Sequence, residues 1–530
     1  MLQRFARLGL LCAGVILLAA CAAQNDTDLR RGEVQLSECR LKDLASSVWC
    51  GSVSVPEDPD PAKSGGRKID IHVAVLPAYV RTRSPDPLVL LAGGPGQAAS
   101  DLGKITLLFD AVRRSRDIVL IDQRGSGRSH PFKCKLFDTL DPVAAMMQID
   151  PDPAALKGCI AGFDGDPTLY TTPAYIADLE AVRTALGVER FNLWGGSYGS
   201  RVALAYMRAY PKAIRSAIID GIAPTSMRIL FEGLGNGQAQ LARTIADCQA
   251  NAACGAAYPK LGEDWLSLAR DYATTRTITL THPRSGQPQK IEADFTTIDS
   301  ALRTLLYSAE YSAMIPELIT RAAQGVPGVP GVPGVPGVPG VPGDLGPLFA
   351  AALRVVGDLG QGMNIGLQLS VVCAEDSGRI DASERAKAAS TSTASTSNAG
   401  ARGGGSATES IVAGVLERID RACNDWPHGS VPTAFHQPTT SNIPTLVFSG
   451  GLDPVTPASN GELAARTLSA ATHIVAPGYA HLVSPHACAP RLVARFVDDG
   501  NALNLPDECV KALKASKRPP FFVNRLELKT

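Results

Sequence analysis

Residues 192–204 read NLWGGSYGSRVAL and place Ser197 in the pattern G-x-S-x-G. A short apolar run over 191–194 precedes this serine and predicts a strand, and apolar residues at helical spacing follow it. Strand, serine and helix in this order are typical of a nucleophile elbow, in which the serine lies on a sharp turn. The alternative is a glycine-rich bend without chemistry, which the strand-to-helix context disfavours.

The flanking sequence predicts an α/β fold built on a parallel sheet. Continuous apolar runs are typical of parallel strands that are buried on both faces. Helical patterns separate the runs on either side of Ser197, and a second strand–helix–strand unit occurs near the C-terminus. The predicted strands cover 68–76, 88–92, 118–121, 191–194, 214–219, 445–448 and 473–475.

Six segments follow from these patterns. They are a signal peptide over 1–21, a tether over 22–36, the first part of a sheet domain over 37–222, a mainly helical insertion over 223–440, the second part of the sheet domain over 441–515, and a C-terminal tail over 516–530. The insertion holds a Val-Pro-Gly repeat over 325–343, which predicts a spacer loop, and a tract rich in Ser, Thr and Gly over 386–410, which predicts a disordered loop.

The N-terminus predicts export. Arg4 and Arg7 precede an apolar run that ends at Cys21, as in a signal peptide. The small residues before Cys21 resemble the bacterial lipobox, whose cysteine is lipidated, so we expect an anchor in the cell envelope, on the periplasmic face and at the outer membrane. An ordinary secretory signal is the alternative. Lys plus Arg equals Asp plus Glu at 51 each, which disfavours nucleic acid as a partner.

Cysteine usage fits the same compartment. Without Cys12 and Cys21 ten cysteines remain, an even number that predicts disulfides in an oxidising environment. Sequence alone leaves the connectivity open, and a zinc site is disfavoured because no paired C-x-x-C spacing occurs. Pairing between neighbours along the chain gives Cys39–Cys50, Cys134–Cys159, Cys248–Cys254, Cys373–Cys423 and Cys488–Cys509.

A serine hydroxyl needs a base, and the base needs a carboxylate that orients it. Asp453 stands in SGGLDPVTP after the predicted strand 445–448, and His481 stands in GYAHLV after the strand 473–475. The order Ser197, Asp453, His481 is the order of α/β-hydrolase triads. The other histidines considered were His428, His436, His473 and His486, none of which lies in a short loop after a late strand.

Two backbone N–H groups are candidates for an oxyanion hole. One belongs to Tyr198, directly after the serine, and the other to Gly94 in the loop LLAGGPGQ. A plain turn is the alternative for that loop. The motif DQRGSGRS over 122–129 predicts a structural turn that braces it. The sequence implies no metal and no organic cofactor.

Five motifs together resemble a known family. GGPG, DQRGSGRS, GGSYG, LDPVTP and GYAHLV are similar to those of the α/β-hydrolase serine exopeptidases, which include proline iminopeptidases and bacterial tripeptidyl aminopeptidases. The resemblance covers most of 39–510. It implies an α/β-hydrolase fold with a large, mainly helical cap insertion, and the release of a single residue, often proline, or of a di- or tripeptide from a free N-terminus.

By position, the resemblance makes Ser197 the nucleophile, Asp453 the acid, His481 the base, and Gly94 and Tyr198 the oxyanion donors. One departure is visible: Ala92 stands before GGPG, where proline iminopeptidases usually have histidine. This weakens a strict proline iminopeptidase assignment more than it weakens the assignment as a hydrolase.

Carboxylates are the expected ligands for a peptide's terminal ammonium. Glu375 and Asp376 in VVCAED are the candidates, with Glu375 predicted to bind the α-amino group. The alternative is a pair of solvated surface acids. A carboxylesterase or lipase with the same triad is the alternative enzyme, because fold and triad do not fix the acyl substrate. A surface-anchored binding lipoprotein is the alternative outside enzymes, and the oligomeric state stays open.

Overall fold

The computed structural model describes residues 28–58, 60, 66–134, 152–281, 286–324, 343–359, 363–381, 384 and 416–523. The signal peptide with Cys21, the repeat over 325–343 apart from Gly343, and the tract over 386–410 lie outside the described residues. No helix among the described residues is long and apolar enough to cross a bilayer.

Twelve strands are present in the described part of the chain. They are β1 Asp28–Arg31, β2 Val34–Cys39, β3 Val48–Pro56, β4 Lys68–Leu76, β5 Leu88–Leu91, β6 Ile118–Ile121, β7 Phe191–Gly196, β8 Ile214–Asp220, β9 Arg276–Thr281, β10 Pro288–Ala293, β11 Thr445–Gly450 and β12 Ala471–Ala476. Ten form one sheet in the order β1-β2-β3-β4-β6-β5-β7-β8-β11-β12. Strands β1 to β4 and the β4–β6 pair are antiparallel, and β6 to β12 in this order are parallel neighbours.

The main helices are α1 Pro153–Gly162, α2 Thr172–Ala185, α3 Tyr198–Ala209, α4 Ile229–Ala250, α5 Ala252–Ala257, α6 Leu261–Asp271, α7 Phe295–Leu305, α8 Ile315–Gln324, α9 Gly346–Leu359, α10 Ile365–Glu375, α11 Ala458–Ala465, α12 Ala489–Asp499 and α13 Asp507–Lys514. Residues 416–425 are also helical. Single helical turns lie at Ala99–Leu102, Gly103–Thr106, Leu107–Phe109, Asp110–Arg113, Pro167–Leu169, Pro211–Ala213, Ala309–Ser312, Ser377–Arg379 and Thr433–His436.

Helices cover both faces of the sheet, which is why its central strands are apolar throughout. In β5, Val89 and Leu91 pack into the core that contains α2 and α3, whereas Leu88 and Leu90 pack into the opposite core, which contains α12. All four side chains are fully buried. The continuous apolar runs in the sequence are therefore the central strands of a two-sided sheet.

The insertion between β8 and β11 forms a cap with a hydrophobic core of its own. Helices α4 to α9 supply most of this core, and the hairpin β9–β10 adds Ile291 and Ala293. The cap is therefore mainly helical, as predicted, and the hairpin is an element that the sequence analysis did not predict. α10 belongs to the core that contains α2 and α3, and it ends at Glu375.

The tether predicted over 22–36 is wrong from residue 28 onward. Residues 28–36 lie within β1 and β2 and the turn between them, with Asp28 paired to Ser37. Val34 and Leu36 are buried because they alternate on one face of β2. The Glu33 N–H also donates to the carbonyl of Ala185 at 2.7 Å. Apolar burial and this hydrogen bond hold the segment at the edge of the sheet.

All five cysteine pairings between chain neighbours are present as disulfides: Cys39–Cys50, Cys134–Cys159, Cys248–Cys254, Cys373–Cys423 and Cys488–Cys509. Three lie in the sheet domain or at its edge, one lies within the cap, and Cys373–Cys423 joins α10 to the helical residues 416–425. The pairing expected from export is therefore confirmed.

Residues 516–523, which we call the C-terminal strap, run from the sheet domain to the cap. At the sheet domain, Gly478 N donates to Ser516 Oγ at 3.0 Å. At the cap, Phe522 N donates to the carbonyl of Ala313 at 3.0 Å, and its own carbonyl accepts from Tyr258 Oη at 2.8 Å. The first part of the predicted tail is thus an ordered link between the two parts of the molecule.

Candidate active site

Ser197 lies on a sharp turn between β7 and α3. Its backbone has φ 56° and ψ −125°, a left-handed conformation that a non-glycine residue adopts only where its surroundings enforce it. The Ser197 N–H donates to the carbonyl of Asp220 at 2.9 Å. The chain therefore has the geometry of a nucleophile elbow at the position that the sequence indicated.

Close backbone contacts explain the glycines around this serine. A Cβ on Gly199 would lie 2.1 Å from the carbonyl oxygen of Leu91, the last residue of β5. A Cβ on Gly195 would lie 2.3 Å from the carbonyl oxygen of Gly199. No side chain fits at either position, so the first turn of α3 packs directly against β5 and β7.

Asp453 and His481 form a buried pair. His481 Nδ1 donates to Asp453 Oδ2 at 2.9 Å, and the two side chains are 6% and 0% exposed. The other carboxylate oxygen, Oδ1, accepts from the N–H groups of Val455 and Thr456, each at 2.8 Å, and Thr456 Oγ1 donates to Oδ2 at 2.8 Å. These bonds fix the carboxylate and thereby the orientation of the imidazole.

The pair shifts both pKa values in the direction that favours the ion pair. Burial alone raises the pKa of Asp453, but the charge and hydrogen bond of His481, together with the N–H groups of Thr456 and Val455, lower it below its ordinary value. Burial alone lowers the pKa of His481, but the charge and hydrogen bond of Asp453, together with the charge of Asp220, raise it above 6.5. His481 therefore gains basicity from Asp453.

Asp220, at the end of β8, links the serine loop to the histidine loop. Its carboxylate accepts from Val483 N at 2.9 and 3.0 Å and from Ser484 N at 2.6 Å, just after His481. Its carbonyl is the acceptor for Ser197 N–H. Sequence reasoning missed this residue. Its only local signal is an acidic residue directly after the apolar run over 217–219 at the end of β8.

The predicted oxyanion loop lies beside Ser197. A Cβ on Gly93 would be 3.4 Å from Ser197 Cβ, which places Gly93 next to the serine side chain. Gly94 and Gly96 have φ of 108° and 115°, which favour glycine. Asn364 N donates to the Gly96 carbonyl at 2.9 Å and ties the loop to the start of α10. The loop thus follows β5 at the same sheet edge as Ser197, and the donor roles of Gly94 and Tyr198 stay predictions.

The motif DQRGSGRS braces the segment that follows this loop. Asp122 accepts from Ser100 N at 2.7 Å, Ser100 Oγ at 3.0 Å and Arg128 N at 3.0 Å. Arg124, fully buried, pairs with Asp178 of α2 at 2.6 Å. Both contacts are structural, in agreement with the bracing role predicted for the motif.

Glu375 and Asp376 lie at the end of α10, against the nucleophile helix α3. They are 1% and 3% exposed, so the alternative of solvated surface acids is wrong. Arg201 of α3, fully buried, donates Nη1 to a carboxylate oxygen of each at 3.2 Å. Glu375 also accepts from Thr172 N at 2.7 Å, and Asp376 accepts from Ile229 N at 2.9 Å.

Burial raises the pKa of Glu375 to about 7, because the nearby charge of Arg201 lowers it less than burial raises it, and Asp376 adds to the rise. A hydrogen-bond chain connects this carboxylate to the elbow. The N–H of Thr172 donates to Glu375, and the hydroxyl of Thr172 forms a hydrogen bond of 2.7 Å with Tyr198 Oη. Glu375 therefore supports the residue after Ser197, and the substrate-binding role predicted for Glu375 and Asp376 stays a prediction.

The other histidines considered lie elsewhere. His473 Nε2 is 2.9 Å from Ser449 Oγ on the neighbouring strand, and the Nδ1 atoms of His428 and His436 are within hydrogen-bond distance of the backbone carbonyls of Trp426 and Thr225. Of the sequence candidates, the structure brings Ser197, Asp453 and His481 to one edge of the sheet. No group of three or more His, Cys, Asp or Glu side chains that could hold a metal ion occurs among the residues that the structure describes.

Two family models match the chain. Residues 86–317 match the model described as alpha/beta hydrolase fold, and residues 411–509 match the model described as TAP-like protein. A solved structure, the proline iminopeptidase of Mycobacterium smegmatis, aligns with 85% of this chain and 98% of its own length at 18% identity and a TM-score of 0.37.

Several curated relatives are similar over part of the chain. The probable proline iminopeptidase of Streptomyces coelicolor is 34% identical over 28% of this chain and 38% of its own length. The proline iminopeptidase of Neisseria gonorrhoeae is 32% identical over 26% and 34%, and the serine protease Hip1 of Mycobacterium bovis is 26% identical over 46% and 52%. The matched part thus spans from about a third to about half of these relatives. Family models and relatives together confirm the resemblance carried by the motifs: the chain has the α/β-hydrolase fold, and relatives similar to it over part of its length are named proline iminopeptidase and serine protease.

Proposed function

We propose that this chain is a serine hydrolase that releases N-terminal residues from peptides. The observation that carries the proposal is the buried bond of 2.9 Å between His481 Nδ1 and Asp453 Oδ2, at the sheet edge where Ser197 lies on its left-handed turn. The relatives named proline iminopeptidase support peptides with a free N-terminus as substrates.

The chemistry follows from the pair. With Nδ1 bonded to Asp453, His481 Nε2 accepts the Ser197 hydroxyl proton while Oγ attacks the acyl carbon. The N–H groups of Tyr198 and Gly94 stabilise the oxyanion of the tetrahedral intermediate. Its collapse breaks the amide bond, and His481 gives its proton to the leaving amine. Water then attacks the acyl-enzyme by the same route and frees the serine.

Recognition of the free N-terminus is proposed for Glu375, with Asp376 beside it. Both carboxylates contact Arg201 of the nucleophile helix α3, and Arg379 Nη1 lies 3.9 Å from Asp376, so Glu375 has Arg201 as its only ion-pair partner among the described residues and lies close to the elbow. The substitution E375Q keeps the shape and removes the charge. We expect it to raise KM for free-amine peptides and to leave acetylated substrates unaffected. Equal kcat and KM for the native protein and E375Q on free-amine peptides would show that Glu375 does not bind the α-amino group.

A carboxylesterase is the second candidate, and one observation favours it. Glu375 and Asp376 are buried and already bind Arg201 and backbone N–H groups, so the described residues hold these acids in internal contacts. A carboxylesterase does not bind a terminal ammonium group, so it does not require a free carboxylate in its substrate site.

One experiment separates the two functions. Fluorogenic mono-, di- and tripeptidyl amides, each with a free or acetylated N-terminus, are compared with a p-nitrophenyl ester, and S197A is the control. Turnover of free-amine peptides alone, abolished by S197A, establishes an aminopeptidase and shows how many residues leave together. Ester turnover that is indifferent to acetylation establishes a carboxylesterase.

We also propose that the protein is exported and anchored in the cell envelope through a lipid on Cys21. Five disulfides support an oxidising compartment. Metabolic labelling with a fatty acid, compared between the native chain and C21S, tests the anchor. Equal labelling of both would show that Cys21 carries no lipid.

A further inference from the structure

The cap contacts the loop that carries His481. Tyr307, in the loop after α7, accepts the His481 backbone N–H with its carbonyl at 3.3 Å. Its ring also meets the imidazole edge-on, with 5.1 Å between ring centroids and 75° between planes. A single cap residue therefore touches both the backbone and the side chain of the predicted base.

Further contacts join the cap to both late loops. Ala309, two residues after Tyr307, forms a small buried apolar cluster with Leu452 and Ala480, each of which directly precedes a predicted triad residue. On α4, Asn236 Nδ2 donates to the carbonyl of Val455 at 2.9 Å, two residues after Asp453. The cap thus contacts the acid loop and the base loop at the same time.

These contacts restrict the imidazole. The polar partners of the imidazole, Asp453 Oδ2 at 2.9 Å and Thr456 Oγ1 at 3.4 Å, both lie at Nδ1 and leave the ring able to tilt about that end. Catalysis requires Nε2 to be directed at the serine. An aromatic ring packed edge-on against the imidazole limits this motion, because aromatic pairs favour defined relative orientations.

We propose that Tyr307 is a positioning residue for His481, so that the docked cap completes the catalytic geometry in addition to bounding the substrate site. This inference rests on the proposed function, because it requires His481 to act as the base. If Tyr307 positions His481, the cap is necessary for full kcat even on substrates too small to contact the cap.

The test compares Y307A, Y307F and a matched control, Y311A. Tyr311 lies four residues further on and packs against the cap's own core. Each variant is measured with a peptide amide and with p-nitrophenyl acetate, which is too small to depend on the cap for binding. We expect Y307A to lower kcat about 10- to 100-fold on both substrates with little change in KM. We expect Y307F, which keeps the ring, and Y311A to remain near the native kcat.

A role for Tyr307 in substrate binding alone predicts a different pattern, with a higher KM for the peptide amide and an unchanged kcat for the small ester. That pattern, or native kcat for Y307A on both substrates, overturns the inference. If Y307A fails to fold, Y307L keeps apolar bulk without the ring and replaces it. NMR of the His481 Nδ1 proton gives an independent readout, since a mobile imidazole broadens or shifts this signal in Y307A but not in Y311A.

Failure of the proposed function itself gives a separate result. In that case the native protein turns over neither substrate above the S197A background, and the Tyr307 variants have the same background rate. Native activity that S197A abolishes, together with a full kcat in Y307A, rejects the positioning role and leaves the hydrolase intact.

Discussion

Asp220 accepts the backbone N–H of Ser197 at 2.9 Å, so the elbow is bonded to the end of the neighbouring strand β8. The Asp220 carboxylate holds the backbone of Val483 and Ser484 just after His481. One residue therefore fixes the loops of the predicted nucleophile and the predicted base relative to each other. Removal of the buried carboxylate leaves the N–H groups of Val483 and Ser484 without this acceptor, whereas the bond from Ser197 N–H to the Asp220 backbone carbonyl does not involve the side chain.

We expect D220A to lower kcat/KM about 100-fold, because a displacement of about 1 Å in a catalytic group costs that much. Each unsatisfied N–H group should also cost about 1–3 kcal/mol of stability. Steady-state kinetics and urea unfolding measure the two effects. D264A is the matched control: it removes a buried cap carboxylate that binds Thr320 and Gln324, and should leave activity near native. Equal losses in both variants would point to general destabilisation.

Substitution of the orienting acid tests the triad. D453N keeps the shape of the side chain but favours the wrong tautomer of His481, so we expect kcat to fall by about 10⁴-fold, as in triad enzymes in general. Burst kinetics with p-nitrophenyl acetate should show slowed acylation of Ser197. A fall of less than about tenfold would contradict the assignment of Asp453.

The raised pKa of His481 predicts opposite pH trends for activity and stability. Only neutral imidazole accepts the serine proton, so kcat/KM should rise with pH through an apparent pKa above 6.5. The stabilisation from protonated His481 is fully present below 6.5 and is lost as the pH rises through the folded pKa. NMR titration in S197A measures this pKa. In S197A/D453N we expect it below 6.5, because burial then acts without the carboxylate.

The buried cluster of Arg201, Glu375 and Asp376 at the end of α10 should contribute non-additively to the free energy of unfolding. R201M leaves Glu375 and Asp376 without their shared cation, so we expect a loss of about 3–5 kcal/mol in unfolding free energy. Asp376 keeps its contact with Arg379 at 3.9 Å, so R201M/E375Q removes the Glu375 charge that R201M leaves unpaired and should recover part of this loss. Urea unfolding of the single and double variants measures the coupling. Strictly additive effects would show that Arg201 and Glu375 do not stabilise each other.

Glu375 also predicts a pH dependence of stability. Its pKa is raised from 4.5 to about 7, so the contribution of the protonated form is fully present below 4.5 and is lost as the pH rises through about 7. E375Q lacks this dependence. Between pH 4.5 and pH 8, native stability should therefore fall relative to E375Q by about 3 kcal/mol. Parallel stability curves for the two proteins would contradict the raised pKa.

The central strands and the elbow could be predicted because apolar runs and glycine positions, which are visible in short stretches of sequence, specify them. The predicted strand over 68–76 coincides with β4, and those over 88–92 and 118–121 agree with β5 and β6 within one residue. The glycines around Ser197 mark the elbow because direct backbone contacts exclude any side chain there. Asp453 and His481 could be chosen because each follows a recognisable late strand, and the structure bonds them to each other.

Contacts between distant residues could not be predicted in this way. Asp220 meets Val483 across more than 260 positions, and Arg201 meets Glu375 across 174. In both cases the local sequence shows only a charged residue next to apolar ones. β1 and β2 were missed because their alternation is short and lies in polar sequence, and burial against α2 and β3 stabilises them.

The C-terminal strap restricts how the cap can rotate relative to the sheet domain. An inserted domain leaves its host at one point and re-enters it at another, and two such points define an axis about which the insertion can swing. The hydrogen bonds of Phe522 to Ala313 and Tyr258 add an attachment that belongs to neither point. Rotation about that axis would have to break these bonds in addition to the contacts of Tyr307 and Asn236 with the late loops. A fusion at the C-terminus would therefore pull on the cap, whereas the same fusion at another site on the sheet domain would not.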